Sequence, residues 1–292
     1  MAGEDAAPRL SVVIPVRNRP LDVCRAISSV LTAEVDDLGA VEVVVVDDGS
    51  DDATPDAVRG FGDPRVRLVQ QAPQGVAVAR NRGVDEAHAL FVAFLDSDDL
   101  ALPGWTAAML GAAQRGLDLF SCASVNHRDG SAATVEAPAS LGGLFGGLRG
   151  RYLAGCFGVS RSAFLRAGGY LPGLLHGENT GLWIGLGRAH LAQELRVDAV
   201  DEPLVQIHYR DRPYDAERYY SGSRMMFDAY GDMLNRDRRA RSLYLGVYGL
   251  AASRLGKRRE AIGLLARSAA LRPHSFTAWL RLARAVVRSS SR

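Results

Sequence analysis

Phe91-Val92-Ala93-Phe94-Leu95-Asp96-Ser97-Asp98-Asp99 is an apolar run that stops at three carboxylates within four residues. The run reads as a buried strand, Ala89 to Leu95. Buried carboxylates are costly unless paired or bound to a cation. Asp96, Asp98 and Asp99 therefore belong just past the strand, at its carboxyl end. In an open parallel sheet that end borders the crevice where ligands bind. Asp-x-Asp offers hard oxygen ligands, and Mg²⁺ takes one or two protein carboxylates plus phosphate oxygens. A polar loop whose aspartates cap the helix after Pro103 accounts for the same residues equally well. The flanking segments decide between the two.

Upstream, Leu10-Ser11-Val12-Val13-Ile14-Pro15-Val16 reads as a first buried strand and Pro20 to Leu31 as a helix with proline in its first turn. Val41 to Val46 is a second strand, closed by the turn Asp47-Asp48-Gly49-Ser50. Thr54-Pro55 opens a helix as cap and first position. Arg65 to Gln70 is a third strand, and Gly75 to His88 a helix that Gly83 weakens. Strands alternating with helices predict right-handed βαβ units, hence a Rossmann-like α/β fold with a mostly parallel sheet and helices on both faces.

Beyond residue 100 the spacing predicts a helix over Pro103 to Arg115 and a strand over Leu117 to Val125, with Ala133 to Glu136 pairing nearby. Leu141 to Gly150 carries five glycines and reads as a mobile loop over a site or as a passive linker. Ala154 to Ser160 is a strand, and a short helix from Ser162 stops at Gly168-Gly169. Glu178 to Leu191 is helical, and two strands, Arg196 to Val200 and Leu204 to Tyr209, follow. From Tyr214 the chain is helical. Residues 242–275 match a tetratricopeptide-like period through Gly249, Gly256, Ala261, Leu265 and Pro273, and Trp279 falls at the aromatic position of a following unit; a helical hairpin with chance similarity accounts for the match equally well. A repeat and a half cannot bury a core alone, so it must pack on the main domain or on a partner.

The 292 residues suffice for one large α/β domain and a small appendage. A formal net charge of +2 gives no case for bulk nucleic-acid binding. Cys24, Cys122 and Cys156 are widely spaced, with neither a metal-ligand pattern nor a disulfide framework, which predicts a reducing, cytoplasmic setting. The first nine residues lack the apolar core of a secretory signal, and no apolar run approaches the ~20 residues of a spanning helix.

Four motifs stand in order: Ser11-Val12-Val13-Ile14-Pro15-Val16-Arg17-Asn18-Arg19-Pro20, Val46-Asp47-Asp48-Gly49-Ser50, Gly75 to Gly83 around Arg80-Asn81, and Phe94 to Asp99. Together, over roughly residues 9–210, the chain resembles the family 2 glycosyltransferases, inverting nucleotide-sugar-dependent enzymes of GT-A fold. The resemblance implies a GT-A domain over 9–212, with a short α-helical, tetratricopeptide-like segment over 213–292. It implies that Asp47 accepts a hydrogen bond from the nucleobase, that Pro15 and Arg17 line base and ribose, and that Arg80 meets the nucleotide, with Asn81 its neighbour. Asp96 would contact the ribose or a metal-bound water. Asp98 would ligate Mg²⁺ or Mn²⁺, with the cation bridging two phosphates, while Asp99 caps or orients. His208 is a candidate further ligand, although Tyr209-Arg210 matches a family pair that would put Arg212 at the histidine position. A strand-end structural histidine fits His208 better.

Inversion needs a base, which the family places in a Gly-Glu-Asp motif opening a helix before Leu-Trp. This chain has His176-Gly177-Glu178-Asn179-Thr180-Gly181-Leu182-Trp183. Asn179 replaces the aspartate and cannot accept a proton. Glu178 is the expected base. His176, and a protein that binds donor without turning it over, are the other readings.

Arg281, Arg284, Arg288 and Arg292 recur on one face of the last helix, a solvated face or one that meets an anionic membrane. The resulting expectation is a metal-dependent hexosyltransferase-type enzyme. It would move a sugar from a nucleotide-diphosphate sugar to a hydroxyl of a glycan or lipid-linked acceptor, in bacterial polysaccharide or glycoconjugate assembly. It would be cytoplasmic, with peripheral contact at the inner face of the membrane. The competing expectation is a catalytically weak nucleotide-sugar-binding or scaffold protein whose helical C-terminus binds a partner. A nucleotidyltransferase is disfavoured, because no glycine-rich, Lys/Arg-bearing phosphate loop follows the first strand.

Overall fold

The computed structural model describes residues 7–32, 40–128, 130–209 and 213–290, with the backbone alone over 288–290. Arg210, Arg212 and Arg292 lie outside the described residues, as does the boundary expected near 212. The βαβ rhythm is present from the start: β1 Leu10–Val16, α1 Pro20–Leu31, β2 Val41–Asp47, α2 Thr54–Arg59, β3 Val66–Gln70, α3 Val76–Glu86 and β4 Phe91–Phe94. Then come β5 Leu100–Ala101, α4 Trp105–Gln114, β6 Leu119–Arg128, β7 Thr134–Glu136, β8 Ala139–Ser140, β9 Arg149–Gly150, β10 Phe157–Ser160, α5 Arg161–Arg166, α6 Glu178–Ala192 and β11 Val197–Tyr209. Four helices end the chain: α7 Ala216–Arg236, α8 Arg238–Arg254, α9 Arg258–Leu271 and α10 Phe276–Ser290.

The main sheet has the order β3-β2-β1-β4-β10-β6-β11-β5, with β7 on β6. Strands β3, β2, β1, β4, β6 and β11 run the same way, while β10, β5 and β7 are reversed. This is the mostly parallel α/β sheet expected. Successive side chains of a strand point to opposite faces, and here both faces are covered. Val12, Ile14, Val43 and Val45 join one apolar layer with α1 and α4. Val13, Val44, Val46 and Phe94 join the other with α3, α5 and α6. Gly83 costs α3 helical propensity but sets its distance from the sheet: a Cβ there would lie 2.3 Å from Val13 Cγ1.

Local expectations are revised at four places. Thr54 does not cap α2 through its side chain; its Oγ1 accepts the amide of Arg19 at 2.8 Å, tying α2 to the loop after β1. Helix α3 stops before His88, whose amide donates to Glu42 at 2.6 Å. The strands expected at 196–200 and 204–209 are one strand, β11, with register shifts around Pro203. The glycine-rich stretch 141–150 is neither a mobile loop nor a linker. It pairs β8 with β9, and it buries Leu144, Phe145 and Leu148. Its glycines admit α6: a Cβ on Gly150 would lie 2.2 Å from the Trp183 ring.

The C-terminal helices pack on the sheet domain, as the incomplete repeat requires. Met226, Tyr230, Met233 and Leu234 of α7 belong to the same apolar layer as α6. Helices α8 and α9 form a hairpin in which the Ser242 and Ser268 hydroxyls donate to each other's carbonyls at 2.8 and 2.7 Å. Helix α10 differs from expectation. Ala278 and Ala285 face inward, whereas Phe276, Trp279, Val286 and Val287 are exposed, so its apolar side faces outward. Arg281 is half-buried and Arg284 exposed. No helix among the described residues is long and apolar enough to cross a membrane. The three cysteines are free.

A buried polar knot staples the sheet at the amino ends of its strands, opposite the carboxyl ends. Glu42 accepts from the Ser11 hydroxyl at 2.6 Å and the His88 amide at 2.6 Å, and it pairs with Arg67 at 3.1 Å. Burial pushes its carboxyl pKa up, but these hydrogen bonds and the His88 and Arg67 charges outweigh that and hold it below its usual range. The folded pKa is depressed, so the stabilisation is present above the unfolded carboxyl value of about 4.3 and fades as pH falls through the folded value. Glu42→Ala should cost about 3 kcal/mol at pH 7 in urea denaturation. Its deficit against the parent protein should shrink below about pH 4. A deficit independent of pH would mean that shape, not charge, holds this knot.

Candidate functional site

The carboxyl ends of β1, β2 and β4 open on a cleft of about 470 Å³, closed on its far side by α6, α7 and the end of β11. Strand β1 outlasts its pairing with β4, which ends at Val13, so Pro15 sits where no partner strand needs its missing N–H. Asn18 then turns the chain with φ 53°, a left-handed conformation that asparagine tolerates. Its amide donates to Ser50 Oγ at 2.9 Å, and its Oδ1 accepts the Asp51 amide at 3.0 Å. The turn after β2 thus clamps the loop after β1, and both Arg17 and Arg19 line the cleft.

Of the site residues read from sequence, Pro15, Arg17, Arg80, Asp96, Asp98 and Glu178 line this one cleft. Asp47 does not. Its carboxylate accepts from the Ser50 amide at 3.0 Å and hydroxyl at 2.5 Å, and from Gln70 at 3.3 Å, so it builds the turn. The next residue, Asp48, takes the place on the wall and accepts the Gln74 and Gly75 amides at 2.8 Å. Asn81 also turns away, clamping the Tyr170 backbone with Nδ2 to O at 2.8 Å and N to Oδ1 at 2.9 Å.

Arg80 is the centre of the site. It is fully buried on α3, with Nη2 2.6 Å from Asp96 Oδ1, Nη1 3.5 Å from Glu178 Oε1, and the Tyr170 ring against its face. Burial alone would lower the guanidinium pKa; Asp96, Tyr170 and Glu178 reverse this and raise it. Its Nε and Nη1 nevertheless lack hydrogen-bond partners. The first residue of α6 is Glu178, and its neighbour Asn179, which also lines the cleft, accepts the Tyr170 hydroxyl at 3.0 Å through Oδ1. His176 packs on Tyr219 at 4.2 Å and is not among the described residues lining the cleft. Burial, with help from Arg218 and against Glu178, lowers its pKa.

Past β4, Asp98 Oδ1 pairs with Arg19 at 2.7 Å. Asp99 is buried and accepts the His208 amide at 2.8 Å, which docks β11 onto the acidic loop. Its carboxyl pKa is pushed up to about 8, by burial first and then by Asp96 and Asp98, against the His208 amide and Arg19. Both His208 ring nitrogens have neighbours, Asp98 O and Gln206 Nε2, each at 3.0 Å, as a structural strand-end histidine would. Among the described residues no three His, Cys, Asp or Glu side chains converge on a metal position. The donor set therefore fits a cation held by Asp98 and completed by ligand oxygens, as Mg²⁺ and Mn²⁺ accept, rather than an all-protein cage. Arg19 and Arg218 also line the cleft. Arg19 was quoted in the first motif without a role, and Arg218 lies on a helix with no motif at all.

Comparison with known proteins bears on these motifs. Succinoglycan biosynthesis protein ExoO of Rhizobium meliloti is 43% identical over 100 residues, 34% of this chain and 28% of that protein. The GalNAc(5)-diNAcBac-PP-undecaprenol beta-1,3-glucosyltransferase of Campylobacter jejuni is 36% identical over 113 residues, 37% of this chain and 36% of that one. The matched stretch thus spans about a third of these relatives' length. In fold, the chain is similar to S. aureus TarS 1-349, crystallised in complex with UDP-GlcNAc. The TM-score is 0.65 at 16% identity, covering 90% of this chain and 81% of TarS 1-349. The profile of Glycosyl transferase family 2 matches residues 11–167, from the first strand to the end of the short helix after β10. That is more than half of the chain, and the chain belongs to glycosyl transferase family 2.

Proposed function

We propose that the chain is an inverting, divalent-cation-dependent glycosyltransferase of hexosyltransferase type, moving a sugar from a nucleoside-diphosphate sugar to an acceptor hydroxyl. The observation that carries this reading is the buried Arg80, which links Asp96 to Glu178 across one cleft that Arg17, Arg19, Asp48 and Asp98 also line. Pro15 and Arg17 would line the base and ribose. Asp48 would accept the nucleobase hydrogen bond, with Asp47 holding its turn. Asp96 would face the ribose, and Asp98 would hold Mn²⁺ or Mg²⁺ against the two phosphates. When bound, the cation offsets charge on the departing diphosphate.

Glu178 would take the acceptor proton. Its carboxylate is the one that α6 presents to the cleft, and Asn179, which replaces the family's aspartate, is bonded to Tyr170. Arg80 fixes Glu178 in place, and a general base within reach of the hydroxyl adds typically 10²–10⁴-fold. The relatives' names support a setting in polysaccharide or glycoconjugate assembly, with a glycan or lipid-linked acceptor. Peripheral attachment to an anionic membrane is favoured by α10, where exposed Phe276, Trp279, Val286 and Val287 adjoin Arg284. The second reading, a donor-binding or scaffold protein with little turnover and a partner on its C-terminal helices, is favoured by Asn179 alone.

Thermal unfolding against UDP, dTDP, GDP, CDP and ADP, each with and without Mn²⁺, tests the donor site. A ligand at ~100 times its dissociation constant adds about 2.7 kcal/mol. One nucleotide should stabilise the protein in a manganese-dependent way, and Asp98→Asn should remove that dependence; no response to any of the five would sink the donor site. Glu178→Gln should keep nucleotide binding and lose roughly 10²-fold or more in transfer. An active Glu178→Gln variant would exclude it as base, while a large gain from Asn179→Asp would favour the weak-turnover reading. Vesicles rich in phosphatidylglycerol should retain the protein at low salt and release it at high salt. Equal binding to neutral vesicles would remove the electrostatic part of this attachment.

A further inference from the structure

We propose that Arg218, brought to the cleft by α7, binds a phosphate oxyanion, so that the C-terminal helices complete a site whose family motifs lie elsewhere. The proposal rests on the donor-site reading above. Arg218 lies beyond the stretch, 11–167, that matches the family profile.

Among the described residues, four guanidinium groups line the cleft: Arg17, Arg19, Arg80 and Arg218. Two are committed to carboxylates, Arg80 to Asp96 and Glu178, and Arg19 to Asp98. Among the described residues, neither Arg17 nor Arg218 has an ion pair. Arg17 is exposed, and water satisfies it. Arg218 is half-buried, and its Nε is shut away from water with no hydrogen-bond partner. The guanidinium as a whole lines the cleft, and an anion there supplies the countercharge that no carboxylate among the described residues gives it. A planar guanidinium matches two oxygens of one phosphate at once.

The side chain sits on a braced turn. Asp215 caps α7 by accepting the Arg218 amide at 3.1 Å. A ladder of rings fixes the same turn to the loop before Glu178: His176 lies 4.2 Å from Tyr219, Tyr219 stacks on Tyr214 at 4.7 Å, and Arg254 of α8 covers Tyr214 at 3.9 Å. Because its backbone is already fixed, ordering Arg218 on binding costs side-chain entropy only. The phosphate has two chemical sources, the diphosphate of the donor or a phosphate borne by the acceptor.

Calorimetry on the full chain separates them. The first arm measures UDP, dTDP, GDP, CDP and ADP, and the matching free nucleosides, against the parent protein and Arg218→Met, all with Mn²⁺. The second arm titrates inorganic phosphate into both proteins, with and without saturating diphosphate. A loss of roughly 10- to 100-fold for the bound diphosphate, with the nucleoside unchanged, assigns Arg218 to the donor. Unchanged diphosphate binding with phosphate binding lost in Arg218→Met assigns it to an acceptor phosphate. Equal binding of diphosphate and phosphate by both proteins overturns the proposal. If the parent protein binds no diphosphate, the donor-site reading fails, and the phosphate arm alone then judges Arg218. Ligand-free melting of Arg218→Met checks that it folds. Arg218→Lys, which keeps the charge but loses the fork, should recover binding only in part.

Discussion

A guanidinium with no water around it organises this protein. Arg80 could not be buried on α3 without partners, since an isolated buried charge costs several kcal/mol. Asp96 and Glu178 meet that need from opposite walls, one from the loop after β4 and the other from the first turn of α6. Tyr170 supports the guanidinium from below and, through its hydroxyl, fixes Asn179. Asn81, next in sequence to Arg80, fixes the Tyr170 backbone. Two adjacent residues of one helix therefore hold both halves of the cleft in register. Gly83 on the same helix lets α3 approach β1 closely enough for this to happen.

Charge pairing within the cleft governs how it would bind a ligand. Its carboxylates are mostly engaged: Asp98 by Arg19, Asp96 and Glu178 by Arg80, Asp48 by backbone amides, and Asp99 by the His208 amide. On the proposed reading, Asp98 would hold a cation in competition with Arg19, and a diphosphate would give Arg19 the anion it loses. Cation and diphosphate are thus expected to bind as a pair, in keeping with a protein that offers no three-ligand cage among its described residues. The acidic loop is not free to rearrange at will, because Asp99 anchors it to β11.

The helical end of the chain is part of the same physical unit. Met226, Tyr230, Met233 and Leu234 extend the apolar layer beneath α6, and Arg218 reaches the cleft from the same helix. Helix α6, which carries Glu178, and α7, which carries Arg218, therefore cannot shift independently without opening a shared core. The glycine-rich strap over 141–150 adds to this rigidity, since Gly146 and Gly150 fit against the backbone of Gly187 and the ring of Trp183.

The repeating units were legible in the sequence because they are local. Runs such as Val41 to Val46 and the proline-led helix at Pro20 declare their own backbone, and turns rich in aspartate and glycine declare the strand ends. That sufficed for the parallel sheet, while the family resemblance implied that Pro15, Arg17, Arg80, Asp96, Asp98 and Glu178 belong to one site, and they line one cleft. Tertiary structure decided what depends on parity and on distance along the chain. Alternation puts the side chains of Asp47 and Asp48 on different sides, and only the pleat shows which one faces the cleft. Arg80 and Asn81 diverge for the comparable reason that neighbours on a helix point about 100° apart. The glycines of 141–150 read as slack until Trp183 and Gly187 are seen against them. Arg218 carries no local pattern; its place on the cleft wall follows from a helix packed back onto the sheet, through contacts between residues far apart in the chain.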